Sequence, residues 1–583
     1  MGIREATPKR SQQGGDEHDV TERAEANHQN PRACRHGSVN VEGPRGTSQR
    51  GLVPPPGGYV SAMARPKTVL WVDDEVESLA AHVLFLREQG FAVEQAAHGD
   101  DALALLRGQP YGVVLLDEQM PGRRGLALVE EIRAIDPAVP VVMVTKSEEQ
   151  DTMREAIGIE LEDYLVKPVN PRQVLSVVTR LLEGHRIREQ RVARDFVTRF
   201  RELEQRRADR LGWREWIDLT AELAEWEVRL AGGDQSGLRE ALVALQRSLH
   251  ADFAAFVQDS YPRWIAAPDS DRPPLSVDVV GEFFTPLIRS HPAALFIVVD
   301  CLRLDQWELL KPLVTDLFDI EVSYYYSILP TATPYARNAI FAGLFPAEIA
   351  QRHPEWWRDR DDESLNAHEA ELFTAQLADA GGGKPIRYEK LSTAAEGEEM
   401  LRRLPGHLAQ GGVTALVFNF VDQLTHGRGE HAIIYEVARD AAALRSLTRT
   451  WFQDSALMRA LKEAARRDVP VLLTTDHGSI HCHTPATVFA KRDTTANLRY
   501  KFGEDLRAER PSTSLVVTDP PAWGLPRTRL GVRLLMAVGD HFFVYPTKLR
   551  EYQNRYRGAF LHGGVTPEEM IVPVALLTPR GSR

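Results

Sequence analysis

Two sets of residues in this 583-residue chain have types and spacings suited to phosphate chemistry. The first is Asp73-Asp74, Asp117, Thr145 and Lys167-Pro168, each at the end of a short apolar run. If those runs are parallel strands, all these residues fall on the carboxyl edge of one sheet, where ligands bind. Three carboxylates there repel one another unless a hard divalent cation sits among them, and an all-oxygen donor set suits Mg²⁺. An aspartate beside that ion can attack a phosphoryl donor. Lys167 would neutralise the charge gained, and the Thr145 hydroxyl would hydrogen-bond a phosphoryl oxygen. A lone Asp at a strand end is usually a turn residue; four matched positions at four strand ends are not a turn pattern.

The second set is spread over nearly half the chain. Leu295–Val299 runs into Asp300, and Leu416–Val421 runs into Asp422, with His426 four residues on. Val471–Thr475 runs into Asp476-His477-Gly478, and Leu561 precedes His562-Gly563-Gly564. Carboxylates and imidazoles gathered at one sheet edge suit a borderline cation such as Zn²⁺. The i, i+4 pair Asp422/His426 can chelate one ion from a single helical turn. Between these ligands stands Pro330-Thr331-Ala332-Thr333-Pro334-Tyr335-Ala336-Arg337-Asn338. Thr333 before Pro334 reads as a helix N-cap with proline at the first helical position. The positive end of a helix also stabilises an alkoxide and an incoming phosphate, so Thr333 is a nucleophile candidate too. Three carboxylates and an alkoxide would carry four negative charges, which two dications balance.

The elements that must position these residues follow from the apolar pattern. Strands are predicted at Thr68–Val72, Ala92–Ala96, Val113–Leu116, Val139–Thr145 and Asp163–Val166. Helices are predicted at Ser78–Gln89, Asp100–Leu106, Gly125–Ala134, Glu149–Ile157 and from Pro171. Five β–α units make a doubly wound parallel sheet. From Ile187 to Ala267 apolar residues recur only at helical spacing, which predicts a three-helix bundle. The arginines of Arg186–Arg210 interleave with Glu and Asp and read as a solvated helix face. Strand-like runs return after Val277. The domain plan is therefore a leader at 1–64, a doubly wound α/β domain at 65–185, a helical bundle at 186–276 and a larger α/β domain at 277–583. The leader holds few large apolar residues and cannot offset its chain entropy, so it is expected to be disordered. Because Met63 directly precedes the first strand, a misplaced start is an equal reading.

Composition narrows the class. With 43% hydrophobic and 26% charged residues the chain is an ordinary globular protein. A net charge of −12 argues against a general nucleic-acid coat protein but leaves room for a local basic pocket. Cys34, Cys301 and Cys482 show no CxxC spacing, which excludes a disulfide framework and a thiolate zinc finger and fits a reducing compartment. No apolar run approaches the ~18–20 residues of a membrane span, and no signal-peptide pattern is present. A cytoplasmic protein without membrane insertion is expected.

Residues 67–185 resemble the receiver domain of two-component response regulators. The motifs are Val72-Asp73-Asp74-Glu75, Asp117-Glu118-Gln119-Met120-Pro121-Gly122, Val144-Thr145-Lys146 and Tyr164-Leu165-Val166-Lys167-Pro168. The resemblance implies a CheY-like fold and a cognate histidine kinase. It implies that Asp117 is the phospho-acceptor, that Asp73, Asp74, Asp117 and the Gln119 carbonyl hold Mg²⁺, and that Tyr164 swings inward when Thr145 engages the phosphate. Residues 278–579 resemble the alkaline phosphatase superfamily and, more narrowly, the PglZ domain. The ordered motifs are strand–Asp, Thr in a helix cap, Asp-x-x-x-His, Asp-His-Gly and His-Gly-Gly. This resemblance implies one zinc ion on Asp300, Thr333, Asp476 and His477, and a second on Asp422, His426 and His562. Thr333 is the implied nucleophile, Thr331 a weaker alternative, and Arg337 and Asn338 candidate substrate contacts. His481, His483 and His541 read as loop or outer-sphere residues.

The whole order resembles PorX-type response regulators. That implies a zinc-dependent phosphodiesterase acting on linear or cyclic oligonucleotides, a homodimer on phosphorylation, and a role in type IX secretion. A second reading is a non-catalytic adaptor that binds a sigma factor or secretion component. Retention of the full ligand set weighs against it, since unpaired buried charges are costly. A third is a phosphomonoesterase, because the pocket around a leaving group is not written in these motifs.

Overall fold

Val69–Val72, Val113–Leu116 and Val141–Val144 are wholly apolar, valine-rich runs without polar alternation, as expected of strands covered on both faces. A computed structural model describes residues 66–581 except 122–123, 137–138, 147–160, 207–209, 232–234, 269–270, 358–365, 379–382, 428–439, 491–494, 496, 528, 530 and 547–548. There the runs form the centre of a five-stranded parallel sheet in the order β2-β1-β3-β4-β5. Its strands are β1 (Thr68–Val72), β2 (Ala92–Ala96), β3 (Val113–Asp117), β4 (Val141–Thr145) and β5 (Asp163–Val166). Helices Ala80–Glu88, Gly99–Gly108 and Gly125–Ile135 cover it. The expected leader and the helix expected at Glu149–Ile157 lie outside the described residues.

The helix that begins at Pro171 runs without a break to Arg206, so the first helix of the bundle is the continuation of the last helix of the α/β unit. No proline interrupts it, and the lone Gly184 costs a helix only about 1 kcal/mol. Helices Trp213–Arg229 and Ser236–Ala266 complete the bundle around Phe196, Trp216, Trp226, Leu249 and Phe253. That core continues into Tyr326, Leu329, Ala336 and Ile571 of the larger domain. The arginine-rich face is laced with pairs such as Arg199 with Glu222 and Arg229 with Asp195.

The larger domain is built around a six-stranded sheet. Its strands are β6 (Ala293–Val299), β7 (Phe318–Tyr326), β8 (Ile386–Leu391), β9 (Gly412–Phe418), β10 (Val471–Thr474) and the strand Ile571–Pro579. The last lies antiparallel between β7 and β10, while β10, β6, β9 and β8 are parallel neighbours. Two strands escape a reading by pattern. β8 is half-buried and carries Arg387, Glu389 and Lys390, and Ile571–Pro579 contains Pro573, which argues against an interior strand. Among the described residues no helix is long and apolar enough to cross a membrane.

Candidate metal centre and receiver pocket

The sheet order brings the first residue set together. Asp73 and Asp74 follow β1, Asp117 ends β3, Thr145 ends β4 and Lys167 follows β5. Carboxylate oxygens of Asp73, Asp74 and Asp117 lie within 4.8 Å of one another. Asp73 and Asp117 are 1% exposed, whereas Asp74 faces solvent. Lys167 Nζ stands 2.7 Å from Asp73 Oδ2 and 2.8 Å from Asp117 Oδ2. Burial raises the Asp117 carboxyl above its ordinary value, with the Lys167 hydrogen bond working against it. The Gln119 N–H points at Asp117 Oδ1 from 3.4 Å, which lays the Gln119 backbone beside the pocket. Thr145 is buried, and Tyr164 is 47% exposed, its ring outside the core.

In the larger domain, β6 and β10 are neighbours in register, Val298 opposite Thr474. Asp300 directly after β6 and Asp476 two residues after β10 therefore meet. Cys301 turns the chain with φ 64, uncommon for a non-glycine residue, and its N–H donates to Asp476 Oδ1 at 3.3 Å. Ligand atoms of Asp300, Asp476 and His477 fall within 4.8 Å of one another. The apolar run Leu416–Val421 is strand only as far as Phe418, and Asp422 sits on helix Phe420–Gly427 instead of a strand end. The backbone of His426 belongs to that helix; its side chain lies outside the described residues.

Thr333 is not a cap, contrary to expectation. The cap position is Ala332, with φ −141 and ψ 143, and Thr333 is the first helical residue with Pro334 second. Its hydroxyl therefore does not fold back on the helix N–H groups but lies 3.1 Å from His477 Nε2 and 3.4 Å from Asp300 Oδ1. The Thr331 hydroxyl is spent, donating to Gly564 O at 2.9 Å and accepting from Gly563 N at 3.1 Å.

Both described histidines of the set are oriented by main-chain carbonyls. His477 Nδ1 donates to Gly478 O at 3.1 Å and His562 Nδ1 to Thr331 O at 3.3 Å, which turns each Nε2 away from those carbonyls. The rings stack with centroids 4.2 Å apart. His562 Nε2 stands 3.4 Å from Asp422 Oδ1, and His477 Nε2 stands 3.7 Å from Asp476 Oδ2 and 3.8 Å from Asp300 Oδ1. Burial, reinforced by the facing His562 ring, holds His477 well below its ordinary pKa and so neutral. Burial and then Asp300 push Asp476 well above the carboxylate range. Asp476 Oδ2 is buried without a hydrogen-bond partner. A neutral imidazole beside two buried carboxylates, one with an orphaned oxygen, is a donor set suited to a divalent cation, and Asp300, Asp476 and His477 fit one.

Arg337 is placed differently from a substrate contact. It is 1% exposed, donates from Nη1 to Asp300 Oδ2 at 2.6 Å and to Asn419 Oδ1 at 3.2 Å, and pairs through Nε with Glu369. In this arrangement it positions Asp300. Asn338, also buried, donates to Pro334 O at 2.9 Å. His481 meets Gly558 O at 2.8 Å and His541 meets Val538 O at 2.6 Å, and the His481 and His483 rings touch at 4.2 Å. Glu369 and Asn419 were not anticipated. Asn419, directly at the end of β9, had the same positional signal as Asp300; Glu369 had none. The buried Arg499–Glu569 pair was also unforeseen. Glu569 accepts from Gly564 N at 2.8 Å and so anchors the His562-Gly563-Gly564 turn.

Gly478 carries a sharp test of this packing. A Cβ there would stand 2.0 Å from Glu568 O. Gly478→Ala is expected to destabilise the domain by about 1–3 kcal/mol and to lower metal retention, measured by thermal unfolding and elemental analysis.

A family model described as the BREX system PglZ alkaline phosphatase-like domain matches residues 281–577, just over half of the chain. The chain belongs to the PglZ family. Ahead of the PglZ domain, the response regulator receiver domain model matches residues 69–179 and the PorX response regulator linker domain model matches residues 186–265. Receiver, linker and PglZ domain stand in the order of a PorX-type response regulator, as the motifs had implied. The receiver segment is 33% identical over 114 residues to the transcriptional regulatory protein ResD of Bacillus subtilis and 38% identical over 117 residues to BaeR of Escherichia coli. Each alignment covers 20% of this chain and 47% of the relative, so the chain spans just under half the length of these relatives. A solved CheY-like receiver domain protein from Methanospirillum hungatei is 28% identical, with 20% of this chain and 95% of that one covered and a TM-score of 0.20.

Proposed function

We propose that the PglZ domain is a zinc-dependent phosphodiesterase acting on linear or cyclic oligonucleotides, controlled by phosphorylation of Asp117. The observation that carries the reading is the Thr333 hydroxyl, released from capping and held between His477 Nε2 and Asp300 Oδ1. Asp300, Asp476 and His477, with Thr333, would hold one ion, and Asp422, His426 and His562 the other. Two zinc ions, when bound, would supply the positive charge that favours an ionised hydroxyl and offsets charge on a transferring phosphoryl group. Thr333 Oγ1 attacks phosphorus, the phosphorus–oxygen bond to the leaving alcohol breaks, and a phosphothreonine forms. Water then displaces the threonine, releasing a monoester and restoring the hydroxyl. Asp300 is kept in place by Arg337, and the two imidazoles by their Nδ1–carbonyl bonds. In the receiver, a histidine kinase would supply the phosphoryl group and Mg²⁺ on Asp73, Asp74, Asp117 and the Gln119 carbonyl would assist its transfer. Thr145 and Tyr164 would register the change, with dimerisation as the outcome. The link to type IX secretion rests on likeness to PorX-type regulators alone.

The test is metal analysis of the purified chain combined with turnover of bis-p-nitrophenyl phosphate and p-nitrophenyl phosphate. About two zinc equivalents, faster hydrolysis of the diester, loss with a chelator and recovery with Zn²⁺ are expected. Turnover of the monoester alone would make the domain a phosphomonoesterase. Chelator-sensitive turnover of neither compound, nor of short oligonucleotides, would leave an adaptor for a sigma factor or secretion component. Asp117→Asn is expected to abolish acid-labile phosphorylation by acetyl phosphate, seen as loss of a phosphate-affinity gel shift, with zinc content unchanged.

A further inference from the structure

Two side chains of the helical bundle, outside the PglZ domain, reach the loops that carry its ligands. Glu227 stands in the last turn of helix Trp213–Arg229. Its Oε1 accepts from Gln246 Nε2 at 2.6 Å, and its Oε2 accepts from Arg445 and lies 3.4 Å from Arg303 Nη2. Arg303, three residues after Asp300, donates from Nε to Asp305 Oδ1 at 2.7 Å and from Nη1 to Ser479 O at 3.0 Å, three residues after Asp476. Arg445 closes the cluster on Asp305 Oδ2 at 2.6 Å. The second arm is His250, on helix Ser236–Ala266, whose Nε2 stands 3.0 Å from Glu568 Oε1. The Glu568 backbone is pressed against Gly478. Both arms thus close on Gly478-Ser479, directly after Asp476-His477.

The geometry points to the bundle as a working part of the catalytic centre: Glu227, acting through Arg303, and His250, acting through Glu568, are positioning residues for the loops that bear Asp300 and Asp476-His477. Two guanidinium groups face Glu227 and Asp305 in a buried cluster, where burial pushes the Glu227 carboxyl up to about 7 and low dielectric strengthens each hydrogen bond. Exchanging the Glu227 carboxyl for an amide removes the acceptor that faces both guanidinium groups, so Arg303 is expected to turn outward and release Ser479 O. The catalytic half of this inference rests on the phosphodiesterase reading; the positional half does not.

The experiment compares Glu227→Gln with Glu222→Gln in the full chain. Glu222 lies on the same helix but pairs with Arg199, its fork bond measuring 2.8 Å, and forms no part of the cluster. Amide hydrogen exchange of residues 474–482 is followed by mass spectrometry in chelated protein, and kcat and KM for bis-p-nitrophenyl phosphate are measured with zinc. Glu227→Gln is expected to speed exchange in this segment about tenfold and to lower kcat by about ten- to a hundredfold with KM within about threefold. Glu227→Asp should recover part of kcat, and Glu222→Gln should match the parent in both readouts. Parent-like exchange in folded Glu227→Gln, or an equal loss in Glu222→Gln, overturns the inference. Absence of turnover in the parent would defeat the phosphodiesterase reading, while exchange still decides the positional claim. Should Glu227→Gln not fold, His250→Ala meets the same two criteria through the other arm.

Discussion

Thr333→Ala is expected to lower diester hydrolysis by about 10³-fold or more while the protein still folds and binds metal. The expectation follows from the placement of the hydroxyl. As first residue of its helix, Thr333 makes no capping bond, so its removal costs the helix little, whereas the contacts at 3.1 Å to His477 and 3.4 Å to Asp300 have no other occupant at that point. Thr333→Ser restores an oxygen at nearly the same place and should retain activity within about tenfold of the parent. Thr331 offers no substitute, because its hydroxyl already bridges Gly563 and Gly564. Steady-state rates with bis-p-nitrophenyl phosphate and zinc content, taken together, check the claim. Parent-like turnover in Thr333→Ala would remove Thr333 from the reaction.

Arg337→Leu is the substitution with the largest expected effect on stability. Arg337 and Glu369 each expose 1% of the side chain and Asp300 4%, so the change leaves two buried carboxylates facing the space of a lost cation. Breaking a buried pair in this way costs about 3–5 kcal/mol. Lys390, 3.6 Å from Glu369 Oε2, offsets part of that on one side only. Arg337→Lys should recover a fraction, since an ammonium cannot span two carboxylates as a guanidinium fork does. Calorimetry of chelated and zinc-loaded protein is the measurement. The loss should be larger without metal, where Asp300 has no other cation to answer it. A midpoint unchanged in chelated protein would mean that the pair carries no net stability.

What could be read from sequence was set by where each residue sits relative to a strand. Asp73, Asp117, Thr145, Lys167, Asp300 and Asp476 announce themselves because each ends or closely follows an apolar run, and a parallel sheet places such ends together. Thr333 was readable as important but not as to its exact register. The Thr-Pro pair fits a cap at Thr333 as well as one at Ala332, and only tertiary contacts with His477 separate the two. Arg337 showed the opposite failure. An arginine one helical turn past a nucleophile candidate suggests an anion contact, but its partner Glu369 arrives from a helix without any motif, so its burial was invisible. The two arms from the bundle were unreadable for the same reason. Glu227 and Arg303 are separated by 76 residues and belong to patterns that look like ordinary amphipathic surface.

The strand Ile571–Pro579 has a consequence for synthesis. It fills the place between β7 and β10, so the six-stranded sheet behind the β6–β10 pair stays incomplete until that strand has left the ribosome. The receiver needs only the first turns of the helix after β5, whose Val174, Val177 and Val178 pack into its core. At about 5–20 residues per second, a complete receiver would stand on the nascent chain for roughly 20–80 s before the PglZ sheet behind it was complete. During that interval a change in the receiver would find no completed PglZ domain to act on.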